Sequence, residues 1–246
     1  MTKRYFGGKG QPGVYHTIIN QMPPHTLYIE PFLGGGSVMK HKKPAQRSIG
    51  LDLHLPALEQ FKTAHLPAIA ALEIHHGNAL DFLKYGNIMA NWRKETTIYI
   101  DPPYPLGTRS SNQRYANELT DTQHLELLDL IKTFKCHVLI STYPNSMYQK
   151  QLESWRMVQH KSVASNGEVR EENLYCNFEE PIYLHDDSYI GKNNDKRMDI
   201  TRRIDRNKRK IMEWPEVERL RFLKELTTEL PSFESEYMCN FTSNPR

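Results

Sequence analysis

Five short apolar runs recur along the chain: LYIEPF at 27–32, SIGLDL at 48–53, LEIHHG at 72–77, TTIYIDPPY at 96–104 and CHVLISTY at 136–143. Helix-like stretches separate them, the alternation expected of a parallel sheet covered by helices. The clearest helix follows Thr120. There Thr120-Asp121-Thr122-Gln123 fits a capping box, and Leu127, Leu128, Ile131 and Phe134 line one apolar face. Two further pieces, WRMVQHKSV at 155–163 and NLYCNF at 173–178, are expected to finish the sheet as an antiparallel pair. Beyond about His185 the chain turns polar and basic, and Pro215 can open a helix with Val217, Leu220, Leu223 and Leu226 on one side. The reading is an α/β core over 1–184 and a basic helical extension over 185–246.

A chain of 246 residues suits one sizeable domain with an appendage. Apolar residues make up 38% and charged residues 25%, and no run approaches the roughly 18 to 20 apolar residues that span a bilayer. The opening MTKRYFGGKG lacks the apolar core of a secretory signal. Cys136, Cys176 and Cys239 are odd in number and far apart, so neither a disulfide framework nor a zinc knuckle is expected. The expected setting is a reducing cytoplasm, with no membrane and no obligatory protein partner. His75-His76 reads as a strand end, and no set of residues has metal-ligand spacing.

The net charge of +3 does not by itself announce a polyanion partner. Its distribution is more telling. Lys192, Lys196, Arg197, Arg202, Arg203, Arg206, Lys208, Arg209 and Lys210 stand against only Asp195, Asp199 and Asp205. Such a run reads as a solvated helix face unless something upstream performs nucleic-acid chemistry.

Two motifs bear on that condition. In Glu30-Pro31-Phe32-Leu33-Gly34-Gly35-Gly36-Ser37 an acidic residue ends a strand and a glycine turn opens a helix. Glycines let the backbone approach a ligand closely, but the spacing matches neither a dinucleotide fingerprint nor a P-loop. Asp52 ends the next strand, where doubly wound nucleotide-binding folds place a carboxylate for ribose hydroxyls. The second motif is Asp101-Pro102-Pro103-Tyr104 at the end of the strand TTIYI. Its prolines stiffen the backbone and donate no N–H, leaving carbonyl oxygens free as acceptors. With the Asp101 carboxylate and the Tyr104 ring they suit a planar group bearing an exocyclic amine.

EPFLGGGS followed by DPPY, with Tyr5-Phe6-Gly7-Gly8-Lys9-Gly10 upstream, resembles the Dam-like, alpha-group family of DNA adenine N6-methyltransferases. The resemblance covers residues 4 to about 184, including Ser141-Thr142-Tyr143 and Glu172-Asn173-Leu174-Tyr175-Cys176-Asn177, and the basic tail is similar to those of phage and prophage members. It implies a doubly wound, seven-stranded Rossmann-like core and S-adenosylmethionine as cofactor. By resemblance, Tyr5, Gly8 and Lys9 enclose the methionine end of the cofactor. Glu30, Phe32, Gly34 and Gly36 form its wall, and Asp52 takes the ribose hydroxyls. Asn78, where the family usually has an acidic residue, lies at the cofactor adenine. Asp101 and the Pro102 carbonyl accept from the target N6 amine, and Tyr104 stacks on the flipped base.

The chemistry implied is alignment and electrostatics. An adenine amino nitrogen is a poor nucleophile, and accepting its two N–H bonds exposes the lone pair and stabilises the positive charge that develops. No cysteine nucleophile is required. A base inside a duplex must first be flipped, at a cost of a few kcal/mol. The loop 105–119, with Arg109, Arg114 and Tyr115, is expected beside the extruded base. Only about twenty residues, 81–100, separate the cofactor motifs from DPPY, too few for a target-recognition subdomain. Sequence reading is therefore expected to be relaxed or to fall to the 105–120 loop and the tail, where Arg202, Arg203 and Arg206 supply phosphate contacts. Duplex DNA is the expected partner, with single strands an alternative. An RNA adenine N6-methyltransferase shares the same apparatus, and a decayed prophage protein that only binds DNA is a third reading.

Overall fold

The structure is a computed structural model, and it describes residues 9–11, 13–65, 69, 71–108, 118–163 and 169–229. The chain divides into two compact units, Met1–Tyr189 and Ile190–Arg246.

In the first unit α1 (Val14–Ile19) precedes β1 (Leu27–Glu30), α2 (Ser37–His41), β2 (Arg47–Asp52), α3 (Leu55–His65), β3 (Leu72–His76) and α4 (Ala79–Ala90). Then follow β4 (Thr96–Ile100), a short 3-10 turn at Leu106–Thr108, α5 (Asp121–Ile131), β5 (His137–Thr142), α6 (Ser146–Gln151), β6 (Arg156–Val163) and β7 (Val169–Cys176). The strands form one sheet in the order β3-β2-β1-β4-β5-β7-β6. Every pairing from β3 to β5 is parallel, and β7 runs antiparallel to both β5 and β6. This is the doubly wound, seven-stranded Rossmann-like sheet that the apolar runs and the resemblance implied.

Period-two alternation distributes the core over both faces. Ile29, Ile98, Ile100, Val138 and Ile140 pack with Leu80, Leu83, Leu127, Leu128, Ile131 and Tyr148 on one face. Tyr28, Tyr99, Leu139 and Leu174 pack with Ile18, Met39, Leu58 and Phe61 on the other. β4 is buried along its whole length, as a central strand covered on both sides must be. The Thr120 capping box forms: its hydroxyl accepts from the Gln123 N–H, and the Gln123 side chain accepts from the Thr120 N–H.

Two boundaries differ from those read in the sequence. β7 begins at Val169 rather than near 173, because residues 169–172 pair only with β6 and overhang the end of β5, so they carry no apolar run. The first unit runs to Tyr189 because 185–189 are tied to the core. The His185 ring stacks on His25 with centroids 3.7 Å apart, Asp186 accepts from the Lys43 N–H at 2.8 Å, and the Tyr189 hydroxyl donates to the His41 carbonyl at 3.0 Å.

The second unit holds α7 (Asn194–Met212) and α8 (Glu216–Glu229). Asn193 caps α7 by accepting from the Lys196 N–H at 2.9 Å. Pro215 precedes α8 as expected, and Trp214 packs edge-on to Phe222 with centroids 5.2 Å apart. Among the described residues, no helix is long and apolar enough to cross a membrane.

Candidate functional site

The strand order reverses between β1 and β4, so a crevice opens outside their carboxyl ends, where open α/β sheets bind ligands. Alternation puts a row of polar groups on one face there. Glu30 follows Tyr28 by two, Asp101 follows Tyr99 by two, Ser141 follows Leu139 by two, and Glu172 precedes Leu174 by two on the antiparallel strand. The period that buries the apolar residues also aims these polar side chains at one end of the sheet.

The glycine turn is built as its sequence requires. Gly34 and Gly36 have φ of 50° and 58°, the left-handed region that side chains resist. A Cβ on Gly36 would also sit 2.1 Å from the Phe61 ring. The Gly34 N–H donates to Oδ2 of Asp52 at 2.7 Å, and the His54 N–H donates to Oδ1 at 2.8 Å. Asp52 is thereby fixed at the end of β2, half-buried, with lone pairs remaining on both oxygens. Phe32, half-buried, packs against the core cluster that holds Ile29, Ile98 and Ile100. Oδ1 of Asn78 accepts from the Leu80 N–H at 2.8 Å and the Asp81 N–H at 3.3 Å, so this oxygen caps α4.

Glu30, which the resemblance places in the cofactor wall, ends β1. It is buried, and one oxygen accepts from the Tyr28 hydroxyl at 3.0 Å and from the Met39 N–H at 3.1 Å. Burial pushes its pKa up to about 8, with the nearby Asp101 charge adding to the rise and these hydrogen bonds opposing it. At neutral pH Glu30 is mostly a neutral acid. Lys42, over the Tyr28 ring at 4.3 Å, is lowered by burial to about 7.

The densest cluster surrounds Asp101. Nζ of Lys9 lies 3.0 Å from Oδ1 of Asp101 and 2.9 Å from Oε2 of Glu172, and it donates to the Tyr104 hydroxyl. Oη of Tyr104 is 3.1 Å from Asp101 Oδ1 and 2.9 Å from Glu172 Oε2. The Lys9 and Glu172 side chains are 6% and 5% exposed, against 17% for Asp101, so the Asp101 carboxylate is the most open member. Burial raises Asp101 to about 6; Lys9 opposes the rise and Glu172 adds to it. Burial alone would lower Lys9, but Asp101 and Glu172 outweigh it and hold the ammonium well above its usual range. Burial likewise opposes the ionisation of Glu172, yet Lys9 keeps it below the usual carboxylate range. The site therefore holds one cation and two carboxylates.

The Lys9 ammonium, which the resemblance places at the methionine end of the cofactor, meets Asp101, Glu172 and Tyr104. Tyr104, which the resemblance gives the stacking role, is only 3% exposed, with Lys9 4.7 Å over its ring and Tyr143 edge-on at 4.5 Å. The half-buried Tyr143 is the more open of these two rings, with the Arg170 guanidinium 5.5 Å from its centroid. In the sequence Glu172 stands only as part of a strand segment, with no local pattern linking it to Lys9 or Tyr104. A detectable signal existed: it lies in step with Leu174 and Cys176, a charged residue in a buried period.

Pro102 is buried, and the β4–β5 ladder ends at Ile100, so the carbonyls of Asp101 and Pro102 lie beyond it. Tyr5, Gly8, Arg109, Arg114 and Tyr115 lie outside the described residues. In the second unit Arg202, Arg203 and Arg206 are exposed on α7. Arg202, Arg206 and Arg209 share one side at helical spacing, flanked by Arg203 and Lys210, and Ile200, Ile204 and Ile211 lie opposite.

No protein-family model matches the chain, and no curated protein sequence does. Solved structures match its fold distantly. A precorrin 8W decarboxylase from Methanobacterium thermoautotrophicum is 11% identical over 71% of this chain and 94% of its own, with a TM-score of 0.46. A dimethyladenosine transferase from Plasmodium falciparum is 12% identical over 70% and 63%, TM-score 0.45. TrmN from Thermus thermophilus is 14% identical over 69% and 49%, TM-score 0.47. At these identities the likeness assigns no activity to this chain.

Proposed function

We propose that this chain is an S-adenosylmethionine-dependent methyltransferase whose acceptor is the N6 amine of adenine in DNA. The observation that carries the reading is the state of Asp101. This carboxylate sits at the switch point of the sheet, and both contacts described for it fall on Oδ1, so Oδ2 remains as an acceptor. Beside it, the Pro102 carbonyl follows the end of the ladder in a segment with no N–H to compete.

The cofactor fits the remaining groups. Asp52 offers a pinned carboxylate where a ribose diol can be bound, and the left-handed Gly34–Gly36 turn brings backbone close to the crevice without side chains. The net negative charge of the Lys9–Asp101–Glu172 cluster suits a sulfonium cation nearby. When bound, S-adenosylmethionine supplies an electrophilic methyl group on that sulfonium.

The chain's own residues do the rest. Asp101 Oδ2 and the Pro102 carbonyl accept the two amine hydrogens and orient the nitrogen lone pair. Their negative ends face the nitrogen as it becomes positive, so they stabilise the transition state more than the ground state. Lys9 and Tyr104 restrain Asp101 and hold its rotamer. Tyr143 provides the ring on which the extruded base stacks. The basic side of α7 tracks phosphates, which sets affinity without reading sequence. Relaxed sequence specificity and a role in prophage or restriction-modification biology belong to the same proposal.

The test is transfer of labelled methyl from S-adenosylmethionine to unmethylated plasmid DNA, total RNA and a single-stranded oligonucleotide. Label recovered from DNA as N6-methyladenine supports the reading. Label on RNA alone keeps the chemistry and replaces the substrate. Cofactor binding without label on any polymer overturns the reading, and failure to bind the cofactor favours the decayed protein.

A further inference from the structure

We infer that Glu172 is a positioning residue of this site: it draws Lys9 and the Tyr104 hydroxyl to the Oδ1 side of Asp101, keeping Oδ2 for the acceptor amine. The inference rests on the reading of Asp101 as the amine acceptor and extends it to a strand outside the DPPY segment.

The geometry is a closed set of contacts. Oε2 of Glu172 lies 2.9 Å from both Lys9 Nζ and Tyr104 Oη, and the same two atoms lie 3.0 and 3.1 Å from Asp101 Oδ1. Two carboxylate oxygens thus share two donors between them. β7 brings Glu172 there because it runs antiparallel to β5, with Asn173 opposite Thr142 at the carboxyl end of the parallel strands. A lysine ammonium has three donors on a flexible four-carbon stem. With Asp101 as its only carboxylate partner, Lys9 can straddle both oxygens and occupy the one the amine needs. Glu172 prevents this by competing for the same ammonium.

Glu172 also leaves the cluster with one uncompensated negative charge. Lys9 cannot neutralise two carboxylates, so Asp101 keeps acceptor strength toward a nitrogen that is gaining positive charge. Among the described residues, Ser162 of β6 hydrogen-bonds Glu172, and the other titratable groups near Asp101 and Glu172 are Tyr28 and Glu30 of β1, Tyr99 of β4, Tyr148 of α6 and His160 of β6. The three tyrosines are raised above their usual range by burial, and Glu30 is mostly protonated at neutral pH. His160, with Nε2 3.8 Å from Glu172 Oε2, is lowered by burial, with the Glu172 charge opposing the fall. Among the described residues, Lys9 and Glu172 are the charges that act most strongly on Asp101.

The test uses the full chain with Glu172→Gln and Glu172→Asp, and Glu30→Gln as a control. Two readouts are taken: the carbon-13 titration of the Asp101 carboxyl without substrate, and the acid limb of single-turnover methyl transfer. Glu172→Gln is expected to move both midpoints down by roughly one pH unit, since a like charge beside Asp101 is lost. It is expected to lower the rate at pH 7.5 by about tenfold, the size of one lost positioning contact. Glu172→Asp withdraws the charge without removing it and is expected to shift the midpoints in the same direction by less, which decides the matter if the glutamine variant fails to fold. An Asp101 midpoint within about 0.2 pH unit of wild type in both variants overturns the inference, as does a rate loss equal at every pH. The titration needs no substrate. If wild type methylates nothing, the functional reading fails while the placement of Lys9 by Glu172 is still decided.

Discussion

Nζ of Lys9 lies 3.0 Å from Oδ1 of Asp101, which ties the segment before α1 to the end of β4. The contact fixes one carboxylate oxygen and leaves the other to the crevice.

Replacing Asp101 with Asn keeps the shape and removes the charge that the proposed function sets against the acceptor amine. Methyl transfer in a single turnover is expected to fall about 10²- to 10³-fold, with cofactor affinity measured by calorimetry changing less than tenfold.

Because burial raises Asp101 to about 6, the carboxylate is ionised above that pH and protonated below it. Protonation removes acceptor strength where positive charge develops. The rate is expected to fall as pH drops through about 6 and to be level from 7 to 7.5, read from a single-turnover pH series on stable protein.

Tyr143 is half-buried and edge-on to Tyr104, with ring planes at 67°. Base stacking is worth about 1–3 kcal/mol per base. Tyr143→Ala is expected to raise the KM for DNA by about 10- to 100-fold, with a smaller change in kcat. An unchanged KM assigns the stacking surface elsewhere.

Gly36 combines a φ of 58° with a Cβ position 2.1 Å from the Phe61 ring. Left-handed strain and overpacking together place the cost of Gly36→Ala on the order of 3 kcal/mol. Urea denaturation is expected to show a lower midpoint at unchanged slope.

Arg202, Arg203 and Arg206 are exposed on α7. If each neutralises one phosphate, changing all three to Gln is expected to flatten the dependence of log affinity on log salt by about 2 to 3 for duplex DNA. Loss of affinity without a change in slope removes α7 from the phosphate contacts.

Much of the sheet is legible in the sequence because its interior strands are buried. TTIYI has no polar interruption, and the hydroxyl and glutamine of the Thr120 capping box announce α5 without tertiary help. The first half of β7 is not legible, since an overhang paired on one side needs no apolar residues. The glycine turn, Asp52 and Asp101 stand out in the sequence because each combines a residue type with a strand end. Glu172 does not, because its partners, Lys9 and Tyr104, are distant in sequence and only the antiparallel course of β7 brings them together. The contacts of Lys9 and Tyr104 with Glu172 are hidden for the same reason: no local pattern connects them to that carboxylate.

The most direct measurement is mass spectrometry of nucleosides from unmethylated DNA incubated with S-adenosylmethionine and either wild-type protein or Asp101→Asn. The expected result is N6-methyladenine from wild type and at least about a hundredfold less from the variant. Equal N6-methyladenine from both proteins, or a methylated product other than N6-methyladenine, would contradict the assignment of Asp101 as the acceptor of the adenine amine.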